Sequence, residues 1–117
     1  MKRLLGLALS VVFVLGACSD APARYTSATE LVADLRAGDV SCEGYTTSKV
    51  AELLSDQASC TSGDTPIDIY VFDDTKIRDR WLSLGAGLTD VVVGPNWVVA
   101  APEKAEAVAG VLGGDIR

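Results

Sequence analysis

The 117-residue chain contains no histidine. That removes the commonest general base and the commonest metal ligand, and most catalytic triads with them. Its three cysteines include no Cys-x-x-Cys pair, so neither a soft zinc site nor the usual spacing of a reactive redox pair is present. No Gly-x-Gly-x-x-Gly or phosphate-loop pattern occurs, and Gly85-Ala86-Gly87 is too short to cradle a phosphate and reads as a helix stop. Positive charge is scarce: 10 Lys+Arg stand against 16 Asp+Glu. This balance excludes nucleic-acid binding, which needs basic patches to neutralise phosphates. Long apolar runs are missing too. The run from Leu4 to Leu15, broken by Gly6 and Ser10, is about a dozen residues against the ~20 needed to span a bilayer core. No internal repeat is apparent.

That short run nevertheless has a context. Lys2 and Arg3 precede it as a positive region, and small residues follow it. Together these make residues 1–17 an export signal. The stretch Leu15-Gly16-Ala17-Cys18 resembles the lipobox of the bacterial lipoprotein signal class: an aliphatic residue, two small residues and an obligatory cysteine. The resemblance implies cleavage before Cys18, a thioether from its sulfur to diacylglycerol, and acyl chains such as palmitate on the mature N-terminus. Two chains suffice for stable anchoring, since each buried methylene contributes ~0.8 kcal/mol and a single chain holds only marginally. The expected location is the extracytoplasmic face of a cell membrane. Plain secretion, with Cys18 placed there by chance, is the competing reading.

Beyond the signal, residues 18–117 suit one small domain with a modest core. Removing Lys2 and Arg3 from the 10 basic residues leaves 8 against 16 acidic ones, a net charge of −8. A solvated, soluble surface explains this charge, and it offers no electrostatic grip on anionic headgroups. With Cys18 lipidated, Cys42 and Cys60 remain, and an even pair in an exported domain reads as a disulfide. It would close a loop of about 17 residues and contribute on the order of 3 kcal/mol.

Residues 18–26, polar and including Pro22, read as a lipidated tether, leaving 27–117 as the folded domain. Ser27-x-x-Glu30 has capping-box form, with Leu31, Val32 and Leu35 at helical spacing and Gly38 as a stop. A second helix is expected from about Thr47 to Gln57 with Val50, Leu53 and Leu54 on one face, between short strands near Cys42 and Cys60. Ile67–Phe72 is the clearest strand, with Ile67, Ile69 and Val71 on one face. Asp73-Asp74-Thr75 offers caps for a helix whose core stripe is Ile77, Trp81 and Leu84. Val91–Val93 and Trp97–Ala100 flank Gly94-Pro95-Asn96 as a hairpin. Pro102 suits the first turn of a closing helix with Ala105, Val108 and Leu112 inward and Gly113-Gly114 at its end.

The order predicts an α+β domain: a mixed or antiparallel sheet of about four to five strands packed against helices, with one disulfide. From Val40 to Val93 it also fits β-α-β-β-α-β, the ferredoxin-like arrangement. No catalytic constellation emerges. Asp64, Asp68, Asp73 and Asp74 do not match an EF-hand, and no pair of carboxylates is singled out for hydrolysis. No metal, cofactor or enzyme activity is expected. Trp81 lies on a core stripe. Trp97 follows a turn, where it would sit at the sheet's rim and contact a partner or ligand. The disulfide, the aspartate-capped helix and the Gly-Pro-Asn-Trp hairpin resemble small cell-envelope lipoproteins of unassigned function, a likeness that transfers no active residue. The expected role is a noncatalytic accessory module that binds an envelope protein. A small-ligand-binding lipoprotein is the alternative, and an enzyme stands last.

Overall fold

The structure is a computed structural model that describes residues 22–47, 53–84 and 90–117. The signal peptide, Cys18 and the glycine stop at Gly85 and Gly87 lie outside the described residues. Among the described residues the chain runs α1 (Ala28–Ala37), β1 (Glu43–Thr47), β2 (Asp56–Ser62), β3 (Thr65–Val71), α2 (Thr75–Leu84), β4 (Val91–Val93), β5 (Trp97–Ala100), α3 (Ala105–Leu112) and β6 (Asp115–Ile116). The strands form one sheet in the order β1-β2-β3-β5-β4-β6, and every neighbouring pair is antiparallel. The α+β class and the antiparallel sheet hold, with six strands rather than four or five.

Period-two alternation in β3 organises the core. Ile67, Ile69 and Val71 are buried on one face together with Val92, Trp97 and Val99, under α1 and α3. Leu31, Val32 and Leu35 from α1 and Val108 and Leu112 from α3 complete this layer. On the other face, Phe72, Val91, Val93 and Val98 form a second cluster with Leu54, under Ile77 and Trp81 of α2. Fully burying an aliphatic side chain of this size contributes roughly 1.5–3 kcal/mol, so the first layer carries most of the stability.

Local signals set the boundaries. Ser27 caps α1, its Oγ accepting from Glu30 N–H, while the Glu30 carboxylate accepts from Thr26 N–H and Oγ1 at 3.0 and 2.8 Å. Those bonds, the backbone one foremost, hold the Glu30 pKa below its ordinary value. The capping box therefore forms with Thr26 as the residue reached. Asp56 of β2 adds a tertiary cap, accepting from Ala28 N–H at 2.8 Å. Gly63-Asp64 joins β2 to β3 as a two-residue loop with φ +62° at Gly63, the position that glycine favours in a type II′ turn.

Several expectations are corrected. The helix predicted over Thr47–Gln57 fails at both ends: Thr47 belongs to β1, and Asp56 and Gln57 belong to β2. Ala58, Cys60 and Ser62 are buried in alternation along β2, and this pattern outweighs the weak helical spacing of the preceding leucines. Leu54 instead plugs the second cluster. Residues 48–52 lie outside the described residues, and the ferredoxin-like order does not hold because β1 pairs directly with β2 rather than with β3. Leu84 is 71% exposed and no residue of α2 is fully buried, so the predicted core stripe covers only Ile77 and Trp81. The closing helix starts at Ala105, with Pro102 in the turn before it. Lastly, the part of the tether from Pro22 to Thr26 is built into the domain, as its contacts below show.

Candidate functional site

The least anticipated feature is where the N-terminal segment meets the sheet. The β4–β5 turn presents Asn96, 4% exposed, beside the incoming chain. Its Oδ1 accepts from Tyr25 N–H at 3.1 Å, and its Nδ2 donates to Tyr25 C=O at 2.6 Å and to Phe72 C=O at 2.9 Å. A side-chain amide accepts through its oxygen and donates through its nitrogen, as a peptide group does, so it replaces a strand's ladder bonds for a single residue. Next to it Trp97, fully buried, donates its indole N–H to Ala23 C=O at 2.8 Å. Trp97 is therefore not at the rim and not free for a partner. Its ring is taken up by the chain's own strap, packing 6.1 Å from the Tyr25 ring.

Tyr25 is itself buried and its hydroxyl donates to Asp34 of α1 at 2.6 Å. Burial, then the bond to the Asp34 carboxylate, pushes the phenol pKa well above its ordinary value. The strap is thus fastened to the sheet through its backbone and to α1 through its side chain. Space is reserved for it. A Cβ on Gly94 would stand about 2.0 Å from Trp97 Cε2, and one on Gly113 would stand 3.2 Å from Pro22 Cβ. Gly113 also has φ +78°, a left-handed conformation that favours glycine.

The same turn holds α2. Thr75 Oγ1 donates to Pro95 C=O at 2.7 Å, and Arg78 donates through Nη1 to Gly94 C=O. Further along α2, Trp81 stacks against Tyr70 and Phe72 with ring centroids 4.5 and 5.4 Å away. Burial raises the Tyr70 pKa, with Asp68 adding to it. Trp81 is half-buried and sits on the sheet as expected.

Of the other residues singled out, Cys42 and Cys60 are joined, with Cα atoms 5.1 Å apart, tying the start of β1 to β2. Arg36 reinforces that corner, donating twice to Cys42 C=O. The four aspartates are dispersed. Asp68 accepts from Ser59, Asp74 caps Ile77 N–H, Asp73 follows β3, and Asp64 sits in the β2–β3 turn. Among the described residues no three potential ligands gather as a metal site. Surface hollows of about 220 Å³ (by Arg24, Ser55 and Asp73) and 370 Å³ (by Arg24, Glu30 and Asp34) are lined largely by polar groups, while a third of about 270 Å³ (by Asp90, Ala105 and Ile116) has a mainly apolar wall flanked by acidic side chains. Small-ligand sites are mostly apolar clefts of ~300–1,000 Å³. Compared with protein-family models, curated proteins and solved structures, the chain matches none.

Proposed function

We propose that the protein is a noncatalytic, lipid-anchored module on the extracytoplasmic face of a cell membrane, working by binding an envelope protein partner. The Cys42–Cys60 disulfide is the observation that supports this most directly, because such bonds persist in oxidising, exported compartments and are rare in the cytosol. It agrees with the reading of Leu15-Gly16-Ala17-Cys18 as a lipobox. The polar lining of the two hollows beside Arg24 favours a protein partner over a small ligand there. A Cys18→Ser variant tests the anchor: it should leave the membrane fraction while keeping its fold. Retention of that variant with the membranes would overturn the proposal. Photocrosslinking in intact cells should capture a discrete envelope protein, and crosslinks to lipid alone would argue against a protein-binding role.

A further inference from the structure

We infer that one end of the domain, carrying Pro22, the Gly94-Pro95 turn and Asp115, is held against the lipid headgroups, with the Gly63-Asp64 turn directed away from the bilayer. The inference rests on the anchor at Cys18 proposed above. Its physical basis is the contour length of chain between Cys18 and Pro22. From Pro22 onward the path is set: Pro22 lies over Gly113, Ala23 C=O is bonded to Trp97, and both backbone groups of Tyr25 are bonded to Asn96. Four peptide steps separate Cys18 from Pro22. At 3.3–3.6 Å per step they reach at most about 14 Å, however they are arranged.

Part of that reach is used inside the membrane. A sulfur carrying diacylglycerol lies among headgroups, a layer roughly 5–8 Å thick on each side of the hydrocarbon core. Pro22 therefore stands no more than about 10 Å above the membrane surface. The sheet runs away from this point. Val71 of β3 pairs with Trp97, beside the strap, whereas Thr65 at the other end of β3 pairs with Ser62 across the Gly63-Asp64 turn. A seven-residue strand covers about 20 Å. The leash is thus shorter than the domain it holds, and the domain cannot invert.

Charge does not drive this contact. The near end carries Arg24 and Lys76 but also Asp73, Asp74 and Asp115, and a domain of net charge −8 gains nothing from anionic lipid. The tether length alone excludes the inverted orientation.

The test uses the full-length protein, matured and purified from membranes and reconstituted in phosphatidylcholine–phosphatidylglycerol vesicles bearing a headgroup nitroxide. A fluorophore is placed on Asp115→Cys or Asp64→Cys, both at turn or strand-end positions exposed to solvent. Quenching should be at least about threefold stronger at position 115, and inserting about 20 Gly/Ser residues between Ala21 and Pro22 should erase most of the difference, since such a linker spans about 25 Å. Equal quenching at the two positions in vesicle-bound protein would overturn the orientation alone. So would a difference that survives the linker. Failure of the unmutated protein to float with vesicles, with Cys18 unacylated, would overturn the anchor and the orientation together.

Discussion

Asn96 and Tyr25, 71 residues apart in sequence, are joined by two hydrogen bonds that engage both backbone groups of the tyrosine. One buried side chain thereby fastens the N-terminal strap to the β4–β5 turn. Replacing Asn96 with Ala would leave the N–H of Tyr25 and two carbonyls without partners. Buried groups stranded in this way cost about 1–3 kcal/mol each before relaxation. We expect Asn96→Ala to lower stability by about 3 kcal/mol, read from urea unfolding, and to speed proteolysis after Arg24. Asn96→Asp should rescue little, because it keeps the acceptor for Tyr25 N–H and loses both donated bonds.

Tyr25 makes stability depend on pH on the alkaline side. Its folded pKa lies above the unfolded value of 10.0, so its contribution is fully present below pH 10 and is lost as pH rises beyond it. There the unfolded chain gives up the phenolic proton and the folded chain retains it. Tyr25→Phe removes the bond to Asp34 and should cost about 1.5 kcal/mol at pH 7. It should also flatten the fall in stability between pH 9.5 and 11. An unchanged slope in the variant would show that other groups govern that limb.

Gly94 owes its identity to packing. A methyl group there would overlap the indole of Trp97, which is fully buried and hydrogen-bonded and cannot swing aside. Overpacking of this kind costs about 1–3 kcal/mol. Gly94→Ala should therefore destabilise by about 2–3 kcal/mol and alter the tryptophan emission. Gly110→Ala, in α3 with nothing within 4 Å of the added atom, should be neutral or slightly stabilising.

The covalent tie between Cys42 and Cys60 is expected to contribute about 3 kcal/mol through its loop. Thermal unfolding of a Cys42→Ser, Cys60→Ser variant should show a clear drop in Tm. The single Cys42→Ser variant should expose one thiol that reacts with a chromogenic disulfide. Two free thiols in the oxidised wild-type domain would contradict the bond.

These sites differ in how far they were legible beforehand. Ser27, Glu30 and Asp74 announce their helices because capping is a local event, and the β-branched alternation of Ile67, Ile69 and Val71 announces β3. The Gly94–Asn96 hairpin and the cysteine pair were equally readable. What escaped was decided at long range. Asn96 looks like any turn residue until its three partners from two other segments surround it. Trp97 reads as rim-exposed until the strap from Ala23 covers it, and Tyr25 lies in a polar stretch whose composition suggests a tether. Val50, Leu53 and Leu54 carry a helical spacing, but β2 forms because β1 and β3 pair with it on both sides. Leu84 completes an apolar stripe that outruns the sheet beneath it.

The anchor is the point on which localisation and orientation both depend. Mass spectrometry of the protein extracted from the membranes of its own cells addresses it directly. The predicted N-terminal peptide begins at Cys18 and carries the added mass of diacylglycerol, with residues 1–17 removed. A peptide running through Ala17-Cys18 without that mass would contradict it.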